Sequence, residues 1–250
     1  MKLLVLAAGY ATRLEPLTLK TSKSLLPIGG RKILDRILDR VSCLKDISYI
    51  YLVSNAKFFN NFNEWLEASE YKNRMSILND GTVSNETRLG AIRDIDFAIR
   101  QCDIDDDLLV IAGDNLFEFS MDEFMKFAKD HNEGLSVAIR DIGDINSARN
   151  FGVVKIDNNC RVVDFEEKPT QPKSTLISTG IYYFPKKMLS FLKEYVKMQD
   201  KLDAPGYYIG WMSRNSKVYG FTFQEGWYDI GNMDSYKKAD KEYLEKERNR

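Results

Sequence analysis

Apolar positions along this 250-residue chain follow two spacings, and the order in which those spacings appear predicts an α/β fold. Residues 2–7 read as a buried strand, with a continuous apolar run from Leu3 to Ala7. Over 31–45, Ile33, Leu34, Ile37, Leu38, Val41 and Leu44 recur at helical spacing, so one helix is expected there. A strand over 47–54, a helix over 57–68, a strand over 75–78, a helix over 87–101 and a strand over 107–112 continue the alternation. Such alternation implies right-handed βαβ units around a Rossmann-like, mainly parallel sheet with helices on both faces. After Gly113 the rhythm changes. A helix over 117–129 gives way to strand-like stretches at 135–140, 152–156, 161–165 and 176–184 with short connections, which predicts an antiparallel extension. Helices over 187–197 and 207–214, strands over 217–223 and 227–230, and a charged helix from Met233 complete the pattern. No repeat, low-complexity segment or linker interrupts it, so one domain over 1–250 is expected, with parts at 1–116, 117–231 and 232–250. The mixed-charge stretch 237–250 reads as a solvated helix face that frays.

Composition narrows the chemistry. At 44% hydrophobic the chain has ample residues for a full core. With 36 Lys+Arg against 37 Asp+Glu, no global field is available to hold a nucleic acid or an anionic membrane, so neither is expected as a partner. Any bound anion needs a local site. Cys43, Cys102 and Cys160 are too far apart for a CxxC motif and are expected to be ordinary buried thiols in a reducing cytosol, which makes the protein cytoplasmic. The apolar stretch 1–8 is too short for a signal peptide, and no apolar run is long enough to span a membrane. On that reading the sequon Asn85-Glu86-Thr87 is an accidental match. His131 is the only histidine, which removes histidine triads, HExxH zinc sites and HxGH nucleotidyltransferase chemistry. Catalysis must rest on carboxylates, lysine and arginine.

The first strand-to-helix connection is long and carries Gly9, Arg13 and Lys23. In an open parallel sheet ligands bind beyond the carboxyl ends of the strands, so this loop lies where a nucleotide would sit. A glycine there lets backbone N–H groups approach phosphate oxygens, and two cations stand within reach. The loop is neither a Walker A nor a GxGxxG sequence. Asp114 follows the apolar run 108–112, at the same ligand-bearing edge, where a hard Mg²⁺ would find oxygen. Taken alone, Gly113-Asp114-Asn115 also fits a turn, and Asp229, before the last helix, also fits a helix cap.

In combination these segments resemble the sugar-nucleotide pyrophosphorylase family over essentially the whole chain. Leu6-Ala7-Ala8-Gly9-Tyr10-Ala11-Thr12-Arg13-Leu14, Pro16, Thr18, Lys23 and Leu25-Leu26-Pro27 follow the family signature in order and spacing. Gly113-Asp114-Asn115, Glu166-Glu167-Lys168-Pro169 and Trp227-Tyr228-Asp229-Ile230-Gly231 match three later motifs. The resemblance implies a nucleotide-binding half over 1–116 and an acceptor-binding, sugar-holding half over 117–231. It implies catalytic roles for Arg13 and Lys23, and a Mg²⁺ shared by Asp114 and Asp229. Leu6 to Thr12, Asn79, Asp80, Thr82, Gly90 and Gly113 would line the nucleotide, and Asn115, Gly152, Glu167, Lys168, Thr179 and Gly180 the acceptor. The implied reaction joins a nucleoside triphosphate to a sugar 1-phosphate and releases pyrophosphate. No general base is required, because a phosphate monoester is already ionised at neutral pH.

Two departures stand out. Ala11 occupies the place of a second family glycine, where an alanine is tolerated if its φ stays negative. Residues 79–85 replace the stretch that reads the nucleobase in many members, so the base is not readable from family pattern, though Leu89-Gly90-Ala91 keeps the small-residue segment. No hexapeptide repeat is present, and no appended acetyltransferase activity is expected. The family often forms dimers or tetramers, which allows a homo-oligomer. A phosphocholine acceptor would call for an aromatic cage, for which Tyr182, Tyr183, Trp211 and Trp227 are the candidates. A nucleotide-sugar-sensing subunit without catalysis is expected to lack Arg13, Lys23 or the two aspartates, all of which are present.

Overall fold

The computed structural model describes residues 1–198 and 203–248. In chain order its elements are β1 (Lys2–Leu6), β2 (Pro27–Ile28), β3 (Arg31–Lys32), α1 (Ile33–Val41), β4 (Tyr49–Ser54), α2 (Phe59–Glu67), β5 (Met75–Asn79), α3 (Ala91–Gln101) and β6 (Leu108–Ala112). There follow β7 (Asn115–Phe117), α4 (Met121–Asp130), β8 (Leu135–Asp141), the short α5 (Ile145–Ala148), β9 (Gly152–Ile156), β10 (Val162–Glu167) and β11 (Leu176–Phe184). The chain then forms α6 (Leu189–Met198), α7 (Pro205–Asn215), β12 (Val218–Phe223), β13 (Trp227–Asp229) and α8 (Met233–Arg248).

Nine strands form one sheet that begins β5-β4-β1-β6, all parallel, and continues through β11 to β9 and β10. β11 turns the sheet antiparallel: it pairs β6 through its second half, β9 through Ile177, and β8 along its other edge, with β12 parallel to β8 beyond. This is the Rossmann-like sheet with an antiparallel extension that the spacing predicts. Side-chain alternation along β1 feeds two separate cores. Leu3, Val5 and Ala7 join α1, α2, α4 and α8 on one face, while Leu4 and Ala8 join α3, α6 and α7 on the other.

Several expectations need correction. The helix expected over 31–45 is only Ile33–Val41, because Arg31 and Lys32 pair with Pro27 and Ile28 around the Gly29-Gly30 turn. Both turn glycines have positive φ, the geometry a two-residue hairpin demands. Likewise the helix expected from residue 87 starts at Ala91, and the one expected from 117 starts at Met121, where Ser120 Oγ accepts from Glu123 N at 3.3 Å as the N-cap. The thiols are not uniformly buried: Cys43 is exposed, Cys102 and Cys160 half-buried, and all three are free. Nor is the terminal helix merely solvated. Ala239 and Tyr243 are buried, Tyr236 Oη donates to Pro27 O at 2.7 Å, and Asp240 Oδ1 accepts from Gly29 N at 2.8 Å, which docks α8 on the hairpin. Asn249 and Arg250, part of the stretch expected to fray, lie outside the described residues. Among the described residues no helix is long and apolar enough to cross a membrane.

Candidate active site

The loop after β1 is pinned at its start by backbone chemistry. Leu6 O accepts from Gly113 N, Ala7 N donates to Val53 O, and Ala8 O accepts from Asn55 Nδ2, each at 2.8 Å. Gly9, next in the chain, is exposed, and a Cβ there would meet nothing within 4 Å, so open space lies above this turn. Tyr10 turns back into the core, where its hydroxyl donates to Thr82 Oγ1 at 3.2 Å. Ala11 does not keep a negative φ. It sits in the left-handed region at φ 49, ψ 40, a conformation costing an L-residue roughly 1–2 kcal/mol. Two bonds of 2.9 Å to its carbonyl, from Thr18 Oγ1 and Leu14 N, hold it there. Thr12, Arg13 and Leu14 then form a 3-10 turn that leaves Thr12 and Arg13 exposed.

The two aspartates meet through a ladder the sequence did not announce. β7 pairs antiparallel with β13 so that Asp229 lies opposite Asn115, and Ile230 N donates to Asp114 O at 3.2 Å. Lys23 Nζ binds Asp114 Oδ2 at 2.6 Å. Burial, then the negative charge of Asp114, push the Asp229 carboxyl up to about 6, opposed by Lys23, Arg13 and Lys168. A Cβ placed on Gly231 would lie 2.9 Å from Asp229 Oδ2 and 3.8 Å from an Arg13 guanidinium nitrogen, which sets Arg13 beside the same carboxylate. Arg13, Lys23, Asp114 and Asp229 therefore converge. Gly113 packs so tightly under this loop that a Cβ would stand 2.6 Å from Ser24 Oγ and 2.8 Å from Leu6 O.

Toward the antiparallel half, Asn115 is 2% exposed and its Nδ2 donates to Thr179 O. Thr179 Oγ1 in turn donates to Ala138 O at 2.9 Å. Here the β11 register breaks, with Ser178 opposite Ile139 but Tyr182 opposite Val137. Gly180 sits in that bulge at φ 77 with Asn115 Nδ2 only 2.8 Å from where a Cβ would be, so both backbone and space require glycine. Glu167 forms a long ion pair with Lys168, but its own side chain lies below the surface. Its side chain is 9% exposed, and burial raises its pKa against the pull of Lys168, whose ammonium is 4.0 Å away. Lys168 itself is exposed and left-handed at φ 47, held by its N–H on Phe151 O at 3.0 Å. A Cβ on Gly152 would lie 3.1 Å from Glu167 Oε2, so Gly152 leaves the room Glu167 occupies.

The segment expected to read the base divides. Asp80 and Thr82 face inward: Thr82 N and Oγ1 donate to Asp80 Oδ1 at 2.7 and 2.8 Å. Asn79 is exposed and spends its amide oxygen on Gly81 N at 2.9 Å, a turn contact. Gly90 is buried and begins α3 at φ 89. The four candidate cage aromatics do not assemble. Tyr182 and Trp211 pack in the core on one face of the sheet, Tyr183 and Trp227 in the core on the other, and Tyr183 Oη binds Asp107 Oδ2 at 2.7 Å. Sequence reasoning missed Gly206, whose missing Cβ makes room for Glu167 Oε2, and Asp94, an acid among the buried positions of α3. The second was visible as a carboxylate between Ile92 and Ile95.

Comparison with known proteins shows the family and the fold. The chain is 30% identical over 253 residues to the bifunctional protein GlmU of Methanocaldococcus jannaschii, an alignment covering 98% of the chain and 55% of that protein. It thus spans about half the length of that relative. Its fold matches a Bacillus anthracis protein assigned as a glucose-1-phosphate thymidylyltransferase, in complex with sucrose, with a TM-score of 0.83, 22% identity, and 98% and 95% of the two chains covered. A UDP-glucose pyrophosphorylase complexed with UDP-glucose matches with a TM-score of 0.82, 18% identity and 98% of both chains. The model of the nucleotidyl transferase family matches residues 2–246, and the chain belongs to that family.

Proposed function

We propose that this chain transfers a nucleoside monophosphate from a nucleoside triphosphate to a sugar 1-phosphate, giving a nucleoside diphosphate sugar and pyrophosphate. The observation that carries the reading is the convergence of Lys23, Arg13, Asp114 and Asp229 at the carboxyl ends of β1 and β6, beneath the open space over Gly9. An acceptor phosphate oxygen attacks the α-phosphorus, and the bond to the bridging oxygen of the β-phosphate breaks. Repulsion between two polyanions is the main obstacle, so cationic placement is the remedy. Arg13 draws the triphosphate into the loop, and Lys23 exchanges its contact with Asp114 for the α-phosphoryl oxygens. Buried Glu167 grips acceptor hydroxyls, and exposed Lys168 grips the acceptor phosphate.

Two carboxylates that repel each other, one buried enough to sit near pKa 6, suit a divalent cation. Among the described residues no cluster of three or more His, Cys, Asp or Glu forms a full metal cage, which fits a metal that keeps waters and substrate oxygens. Mg²⁺ held by Asp114 and Asp229 would supply charge neutralisation on phosphate oxygens. Asp80, Thr82, Tyr10 and Gly90 form the nucleobase wall in this reading. The chain then acts as a single nucleotidyltransferase domain, with residues 1–116 on the nucleotide and 117–231 on the acceptor. Pyrophosphate release, measured across a grid of nucleoside triphosphates and sugar 1-phosphates with Mg²⁺, tests it. Release that needs both substrates supports the reading, and no release with any pair in the grid contradicts it.

A further inference from the structure

Behind the loop that follows β1 stands a buried amide that no step of the reaction touches. Asn55 follows β4 at 0% exposure, and both ends of its side chain are engaged. Its Nδ2 donates to Ala8 O at 2.8 Å, and its Oδ1 accepts from Phe58 N at 3.0 Å. A carbonyl oxygen only accepts and a backbone N–H only donates, so the two partners fix which way round the amide lies. The residue is also held from both sides: Ser54 O accepts from Asp80 N, and Ala56 N donates to Thr82 O, each at 2.9 Å. Asn55 is thus a fixed post against which the Ala8 carbonyl is drawn inward.

The consequence for the next residue follows from peptide geometry. The Ala8–Gly9 bond is trans, and in a trans peptide the C=O and the following N–H point in opposite directions. Drawing Ala8 O toward Asn55 therefore turns Gly9 N–H away from the core. It turns to the exposed side, where a Cβ on Gly9 would meet nothing within 4 Å. That N–H donates to no group among the described residues.

We propose that Asn55 is a positioning residue for the triphosphate: by holding the Ala8 carbonyl, it aims Gly9 N–H at a phosphate oxygen. The inference rests on the nucleotide-site reading above. An N–H fixed before the ligand arrives needs no reorganisation, and a hydrogen bond to an ionised oxygen is among the strong ones. A small residue at position 55 that cannot reach Ala8 O leaves the Ala8–Gly9 peptide free to turn. The loss then falls on the triphosphate and spares the acceptor, whereas an amide with a purely structural role would cost stability alone.

The test compares the full chain with Asn55→Ser and Asn55→Ala, with circular dichroism to confirm folding. Serine keeps an oxygen for Phe58 N but ends one bond short of the place of Nδ2. Kinetics use Mg²⁺ and the pair of nucleoside triphosphate and sugar 1-phosphate from which the parent releases pyrophosphate fastest. Triphosphate KM is expected to rise about ten-fold in both variants, the scale of one hydrogen bond to a charged group, while acceptor KM stays within about two-fold. In the parent, the Gly9 amide proton resonance is expected to move downfield when that triphosphate is added, which reads the aimed N–H without any substitution. An unchanged triphosphate KM in the folded variants, equal rises in both KM values, or a Gly9 amide that the triphosphate leaves unmoved overturns the inference while the parent's own activity keeps the function reading in place. Absence of release by the parent with every pair overturns the function reading itself.

Discussion

Around β1 and β6 the candidate residues stand on loops that leave parallel strands, whereas around β11 they stand inside strands. On the parallel side Arg13, Lys23 and Asp114 come together because strand ends line up by register, Leu6 beside Ala112 and Val53. On the antiparallel side Thr179 and Gly180 stand where β11 breaks its pairing with β8. Glu167 is placed by two close approaches from other elements, Gly152 on β9 and Gly206 on α7. A strand-end site tolerates loop variation, while a site within strands depends on voids the size of a missing methyl group. Substitutions should therefore act differently on the two sides, chemically on the first and geometrically on the second.

The largest effect is expected at Lys23. Lys23→Ala should lower turnover by roughly 10²-fold or more, the scale of losing one preorganised charge, with the fold intact by circular dichroism. Near-parental turnover would remove Lys23 from the chemistry. Next comes Gly206→Ala, whose new Cβ would overlap Glu167 Oε2 and crowd Phe165. Acceptor KM should rise about ten-fold while the KM for the triphosphate stays within about two-fold, the pattern of a lost positioning contact. Equal changes in both would show that the two sides of the cleft are not separable.

A pH-dependent effect should follow from Asp94. Its folded carboxyl stands near 8 and its unfolded one near 4, so the folded chain holds an extra proton between those values. That contribution is fully present at low pH and is lost as pH rises toward 8. Asp94→Asn, which cannot ionise, should therefore gain in Tm over the parent as pH goes from about 5 to about 8. A constant difference across that range would show that Asp94 titrates normally. The smallest effect is expected at Ala11→Gly, which relieves the left-handed alanine and should stabilise by about 1 kcal/mol or less. A clear loss of stability would show that the Cβ packs rather than strains.

The same contrast governs what was legible in the sequence. The strands at 152–156 and 176–184 agree with the structure residue for residue, because apolar runs bounded by turns carry local information. Arg13, Lys23 and Asp114 could be placed at one edge because each follows a readable strand. The three-residue ladder between β7 and β13 was not readable: its partners are more than a hundred residues apart, and although a strand was expected over 227–230, residues 115–117 are too short a run to declare one. Yet that ladder brings Asp229 to Asp114. Gly29-Gly30 was a readable hairpin signal, overridden by helical spacing from Ile33 onward. Ala11 misled for a different reason, since two hydrogen bonds to its carbonyl hold a backbone conformation that residue preference alone disfavours.

The central claim is that one phosphorus atom moves between the two sides of this cleft. Incubation of the full chain with Mg²⁺, a sugar 1-phosphate and nucleoside triphosphates labelled at the α-phosphate tests it most directly. The label is expected in a nucleoside diphosphate sugar, with one pyrophosphate released per labelled product and no transfer by Lys23→Ala. Label recovered in nucleoside monophosphate, or left in the triphosphate whichever base and sugar phosphate are supplied, would contradict the account.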